Sequence, residues 1–341
     1  MINLRLLKIC NVQLPEGLDY LSNNLRLLHW EGYPLKSLPP NLRLDKIIKL
    51  NMDHSHIEQL PQGITPFNNL KSISFQKCEY LIKTPDFTSA PNLKDVRLTS
   101  CKMLREIHPS LLVHKKITYL NMERCTSLTT LPNQMHMESL RGLCLSSCYK
   151  LEKFPEIVGS MDCLLMMSLN NTAIKGLPMS IERLRGLQQF YLYDCKNLVS
   201  LPVTINGLKS LQTLELRGCS KLDNLPETLG QVEKLSRLDV RGTAIRRPMA
   251  SIFLMKNLVT LNFRGYKRPL ATSLSSLFLK TYRLPTLSGV CTSLTSLNLV
   301  DCNMEEGAIP NDFFDSFPSL GSLELSKNNF CFTTWKHQSS F

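Results

Sequence analysis

Leu211-Gln212-Thr213-Leu214-Glu215-Leu216-Arg217-Gly218-Cys219 decides how this chain folds. Leu214 and Leu216 fall on one side of an alternating segment, with Thr213, Glu215 and Arg217 on the other, the two-residue period of a β-strand. The same order recurs upstream in Leu187-Gln188-Gln189-Phe190-Tyr191-Leu192-Tyr193-Asp194-Cys195 and downstream in Leu235-Ser236-Arg237-Leu238-Asp239-Val240-Arg241-Gly242-Thr243. Outward from these, the first apolar residue of the unit falls at Leu4, Leu25, Ile47, Leu70, Leu93, Ile117, Leu140, Leu164, Leu187, Leu211, Leu235, Leu258, Leu294 and Leu320. Eleven of the thirteen steps are 21 to 24 residues long, and the last two are 36 and 26. Chance does not produce fourteen such matches.

A period near 23 residues lies in the range of leucine-rich repeats, about 20–29. Each turn contributes one short strand, and strands of successive turns stack in parallel. The second half of a turn carries another apolar anchor and then proline, as in Leu131-Pro132, Phe154-Pro155, Leu177-Pro178, Leu201-Pro202 and Leu225-Pro226. Proline fixes φ and lacks a backbone donor, which opposes a long helix and suits a 3₁₀ or irregular wall. The expected fold is an α/β-class leucine-rich-repeat solenoid, a horseshoe with one parallel β-sheet on its concave face and an irregular, 3₁₀-rich outer wall. One turn cannot bury its own apolar face, so the 341 residues read as one elongated array and not as several compact domains. The expected division is repeats over 1–263 (about eleven turns), an irregular insertion over 264–293, the last repeats over 294–330 and a divergent tail over 331–341. Neither end shows an evident polar cap, so the isolated chain is expected to be marginally stable.

Eight residues after the first leucine comes Cys78, Cys101, Cys125, Cys148, Cys195, Cys219 or Cys302, seven of the twelve cysteines. Ser55, Thr172, Thr243 and Asn328 take the same place in other turns. A small, inward side chain able to donate to backbone carbonyls fits all of these. The cysteines therefore read as a stacked internal ladder, not as disulfides. No C-x-x-C pair occurs, and His54-x-His56 has no third ligand at short spacing, so no metal site and no cofactor are expected.

With 43% hydrophobic and 20% charged residues the chain is globular in composition. The net charge of +12 raises nucleic acid as a partner. Yet Lys36, Lys83, Lys150, Lys153, Lys175 and Lys221 are spread along the outer wall, not clustered with aromatics as a stacking groove requires. Nucleic acid is not an expected partner. Arg5 and Lys8 interrupt the apolar start, and no segment approaches the roughly 20 apolar residues of a membrane span. No H-E-x-x-H, G-x-S-x-G or phosphate-loop motif occurs, and no catalytic residue is expected.

Function is expected on the concave face, where outward strand positions point. Six residues after the first leucine stand Asn170, Tyr193, Arg217, Arg241 and Arg264, and four residues after it stand Ser168, Tyr191, Glu215, Asp239 and Asn262. Tyrosine and arginine are enriched at binding hot spots, which makes Tyr191, Tyr193, Arg217, Arg241 and Arg264 the candidate partner-binding residues. The blander expectation is that Glu215 and Asp239 neutralise the arginines as a solvated ladder. Inward Leu214 and Leu216 are expected to cost about 2–5 kcal/mol on truncation to alanine. In the 264–293 break, Tyr266, Lys267, Arg268, Tyr282 and Arg283 are the residues that could carry a contact.

Several blocks go beyond spacing. Leu25-Arg26-Leu27-Leu28-His29-Trp30-Glu31-Gly32-Tyr33-Pro34-Leu35-Lys36-Ser37-Leu38-Pro39 resembles the opening of the repeat region in plant TIR–nucleotide-binding–leucine-rich-repeat immune receptors. Thr84-Pro85-Asp86-Phe87 with Ala90-Pro91-Asn92-Leu93, Asn171-Thr172-Ala173-Ile174 with Leu177-Pro178, and Gly242-Thr243-Ala244-Ile245 carry the same resemblance. It implies a cytoplasmic sensor, with the nucleus also open to it, whose partners are proteins: a pathogen effector or the receptor's own nucleotide-binding domain. The NAD-cleaving activity of such receptors belongs to a TIR domain outside this chain. Gly307-Ala308-Ile309-Pro310 and Leu325-Ser326-Lys327-Asn328-Asn329 resemble plant cell-surface repeats, which keeps an extracellular receptor ectodomain as the alternative, beside a truncated, non-signalling relative.

Overall fold

The computed structural model describes residues 3–10, 12, 21–39, 42–60, 67–245, 250–253, 255–263, 292–302, 304, 309, 315 and 317–328. Its strands are β1 (Leu6–Cys10), β2 (Leu27–Glu31), β3 (Lys49–Asn51), β4 (Ser72–Ser74), β5 (Asp95–Arg97), β6 (Tyr119–Asn121), β7 (Gln134–Met135), β8 (Gly142–Cys144), β9 (Glu156–Ile157), β10 (Met166–Ser168), β11 (Gln189–Tyr191), β12 (Thr213–Glu215), β13 (Arg237–Asp239), β14 (Thr260–Asn262), β15 (Ser296–Asn298) and β16 (Ser322–Glu324). All but β7 and β9 form one 14-stranded sheet in chain order. Each pairing is parallel and in register with the next turn, as in Phe190 with Leu214 and Leu214 with Leu238. Every strand of this sheet begins two residues after a first apolar residue, as the repeat spacing predicts.

The core is a stack of equivalent side chains. Leu187, Phe190 and Leu192 lie over Leu211, Leu214 and Leu216, which lie over Leu235, Leu238 and Val240, all buried. Burying one such side chain stabilises by about 1.5–3 kcal/mol before conformational entropy is counted. The tryptophan–tyrosine block belongs to this core. Trp30 and Tyr33 are buried and meet edge to face at 4.8 Å. The Tyr33 hydroxyl donates to the Ser37 carbonyl at 3.0 Å, fixing the turn that follows β2.

The cysteine ladder has the expected chemistry. The thiols of Cys78, Cys101, Cys125, Cys148, Cys195 and Cys219 donate to the carbonyls of Met52, Phe75, Leu98, Met122, Leu169 and Leu192 at 2.9–3.2 Å. Each bond reaches into the preceding turn. Thr172 and Thr243 bond within their own turn instead, to Leu169 and Val240. Asn328 uses its amide twice, on the Leu299 and Leu325 carbonyls.

One feature of the described strand exits has no residue-type signature. The residue before the ladder position adopts positive φ, between 55° and 78°, at Gly32, His54, Lys77, Ser100, Arg124, Ser147, Asn171, Asp194, Gly218, Gly242, Asp301 and Lys327. That conformation turns the chain off the sheet and points the next side chain inward. It is costly for residues with a Cβ, and the stacked backbone bonds of neighbouring turns hold it, such as Asp194 N–H to Arg217 O at 2.7 Å.

The outer wall is more varied than expected. Pro178, Pro202 and Pro226 cap 3₁₀ turns at Met179–Arg183, Val203–Gly207 and Glu227–Gln231, as the prolines predict. Short α-turns occur at Pro109–Leu112 and Ala250–Phe253. Between them, β7 and β9 pair in parallel as a second, two-stranded sheet on this wall. Lysines of the wall meet acids of the neighbouring turn: Lys36 with Glu58 at 2.9 Å, Lys102 with Glu79 at 2.6 Å and Lys175 with Glu152 at 2.6 Å.

Strands β14 and β15 are direct neighbours, with Thr260 opposite Ser296. The step of 36 residues is therefore closed within a single turn. Arg264, Tyr266, Lys267, Arg268, Tyr282, Arg283 and the tail from 331 lie outside the described residues.

Candidate interaction surface

The outward residues of β10 to β14 form one row. Ser168, Tyr191, Glu215, Asp239 and Asn262 are consecutive register partners, so they repeat at about the 4.8 Å strand spacing. Tyr191 is half-buried and its hydroxyl donates to Gln189 at 3.1 Å. Two residues further along, Tyr193 is 41% exposed and Arg217 is exposed. Asn170, in the same column, is buried, and its amide oxygen accepts from the Tyr193 N–H at 3.0 Å. It thus orders Tyr193 and is not free to meet a partner.

The acids differ from one another. Asp239 is almost fully buried, and its carboxylate faces the Arg241 guanidinium. Arg241 is held in the charged form by that hydrogen bond. Glu215 has no such bond. Burial, and then the Asp239 charge, push its pKa above the ordinary glutamate value, while Arg237, Arg241 and Arg217 oppose the shift. The ridge thus presents Tyr193 and Arg217 as accessible, chemically unspent groups, with Arg241 anchored beside them. The structure brings four of the five candidate residues together, and the fifth, Arg264, is not described.

Spacing alone missed two other features. A hollow of ≈ 350 Å³ on the outer wall is lined by Lys83, Thr84, Arg105, Glu106, His108 and Pro132, among others. At the first turns, Cys10, His29 and Glu31 converge, with His54 beside Glu31. Sequence distance hides this trio, which only the strand register assembles.

One strand of the large sheet per turn, an inward leucine stack and a polar ladder at the strand exit define a leucine-rich-repeat protein. A solved leucine-rich-repeat protein of Leptospira interrogans shares the fold, with a TM-score of 0.55 over 90% of this chain and 74% of its own, at 19% identity. Residues 136–243 match the family described as "Disease resistance protein RPS4B-like, leucine-rich repeats". The chain is 36% identical over 315 residues to TMV resistance protein N of Nicotiana glutinosa, covering 92% of this chain and 26% of that protein. It is 34% identical over 206 residues to disease resistance protein RPP2A of Arabidopsis thaliana, covering 58% of this chain and 16% of that protein. The repeats are therefore leucine-rich repeats similar to those of plant disease-resistance proteins. The chain spans about a quarter or less of the length of these relatives. No helix among the described residues is long and apolar enough to cross a membrane.

Proposed function

We propose that this chain is the sensing, protein-binding portion of an intracellular plant immune receptor of the TIR–nucleotide-binding kind. It recognises a pathogen effector or holds the receptor's own nucleotide-binding domain, acts in the cytoplasm and performs no catalysis itself. Similarity to disease-resistance proteins over nearly the whole chain supports the defence role. The concave ridge of Tyr191, Tyr193, Arg217 and Arg241 supports a protein partner. Aromatic and guanidinium groups there stand on a hydrogen-bonded sheet, so little backbone entropy is lost on binding.

The test is a receptor carrying this chain, expressed in leaf tissue with its cognate effector. Tyr193→Ala with Arg217→Ala is expected to abolish the defence response while the chain remains folded, since both side chains are exposed. A hot-spot pair of this type contributes about 2 kcal/mol or more per residue. An undiminished response in the double variant would remove the ridge from the binding site.

A further inference from the structure

The concave corner made by β1, β2 and the turn after β3 holds a mixed donor set. Cys10 is the register partner of Glu31, and His29 lies two residues before Glu31 on the same outward side. The Cys10 sulfur, a His29 ring nitrogen and a Glu31 carboxylate oxygen all lie within 4.8 Å of one another. His29 Nε2 is 3.9 Å from one Glu31 oxygen. From the next turn, His54 brings its Nε2 to 3.9 Å from the other. His54 is set there by its positive φ, the conformation shared by the other described strand exits. Two other charged groups border the corner. Lys8 is the register partner of His29, and the Asp53 carboxylate is already occupied by Ser74 and Gln76.

We propose that Cys10, His29 and Glu31 bind a divalent cation of the zinc class, with His54 orienting the Glu31 carboxylate. One thiolate, one imidazole and one carboxylate form a donor set that suits zinc and disfavours magnesium or calcium, which take oxygen alone. Ligand atoms around tetrahedral zinc stand about 3.3–3.8 Å apart, so closure from 4.8 Å asks for about 1 Å of movement. Cys10 is exposed and His29 and Glu31 are partly exposed, so rotation about side-chain bonds supplies it. Binding releases the Cys10 thiol proton to solvent, and the thiolate and carboxylate together balance the 2+ charge. Three protein ligands leave a fourth position for water or for a group of a partner on the concave face.

The cation would also clip β1 to β2, where inward Leu7 and Ile9 are only partly buried. Without metal, the same groups make only solvent-screened histidine–carboxylate pairs at 3.9 Å that leave Cys10 unused.

The test is titration of the reduced, metal-free full chain with Co²⁺, followed by Zn²⁺ competition. One equivalent is expected to produce a thiolate-to-cobalt charge-transfer band in the near ultraviolet, which Zn²⁺ erases. Cys10→Ser removes the band. Glu31→Gln and His29→Ala weaken binding at least tenfold, and Glu31→Gln serves as the test on its own should Cys10→Ser not fold. His54→Ala, which removes a partner of the carboxylate, weakens it by about 10–100-fold. Cys163→Ser, at another exposed thiol, leaves the band intact. No saturable band in the parent chain, or a band that survives Cys10→Ser, overturns the proposal.

Discussion

Asp239 grips Arg241, two residues further along the same ridge. The Arg241 Nε stands 3.0 and 2.9 Å from the two carboxylate oxygens, and the Arg241 backbone N–H donates to Oδ1 at 3.0 Å. The carboxylate is 4% exposed and the arginine 39%. Arg241 is thus part of the fold as well as part of the surface, which makes Arg217 the cleaner probe of binding.

Asp239→Ala is expected to lower stability by about 1.5–3 kcal/mol, the range for hydrogen bonds to a charged group. Urea unfolding of the variant beside the parent chain measures it. A loss below about 0.5 kcal/mol would mean that solvent replaces the carboxylate without cost.

Glu215 gives the ridge a pH dependence of known sign. Its folded-state pKa is raised, so the folded protein keeps this proton after the unfolded chain has released it. Stability from this group is full below the ordinary glutamate pKa and is lost as pH rises through the raised value. Glu215→Gln should flatten that part of the stability profile and leave the chain as stable or slightly more stable at neutral pH. A variant less stable at pH 7 would show that the arginines win over burial.

Thiol labelling should separate the cysteines by position. Cys10 and Cys163 are exposed, whereas Cys78, Cys101, Cys125 and Cys148 are buried. Burial pushes Cys78 and Cys148 up to about 12, which removes the reactive thiolate at neutral pH. Among the described cysteines, Cys10 and Cys163 should alkylate first under native conditions, with the ladder reacting only as the chain unfolds. Mass spectrometry of peptides after a short iodoacetamide pulse reads the order. Early modification of Cys101 or Cys125 would contradict the stacked ladder.

Gly186 marks a close approach of adjacent turns. A Cβ built there would overlap the Asp162 carbonyl oxygen, a backbone atom that cannot rotate away. Gly186→Ala should therefore destabilise by about 1–3 kcal/mol through overpacking. Gly176, where a Cβ meets nothing within 4 Å, is the control, and its alanine variant should melt near the parent temperature.

The strands and the ladder could be read from the sequence because both rest on residue type at fixed spacing. Leucine at the inward positions and cysteine at the strand exit are chosen by burial, and burial leaves a mark on composition. The positive-φ residue leaves none. Lys77, Arg124 and His54 occupy it as readily as Gly218, because bonds from neighbouring turns impose the conformation. The ridge was only half visible. Alternation placed Tyr193 and Arg217 outward, but Asn170 is buried and Arg241 is spoken for by its own strand. The trio Cys10, His29 and Glu31 could not be seen at all, since parallel register and not sequence proximity brings it together.

The direct pairing of β14 with β15 bears on how such a molecule can change. Loop-closure entropy grows only with the logarithm of length. Thirty-six residues in place of twenty-four would cost about 0.4 kcal/mol more even as a wholly flexible connection. The hydrogen-bonded register on either side is unaffected. An insertion or deletion between turns is therefore close to neutral for folding, while a single-residue slip within a strand would turn its leucines out of the core. Length can vary freely at the connections, and new recognition elements can be added there without redesign of the array.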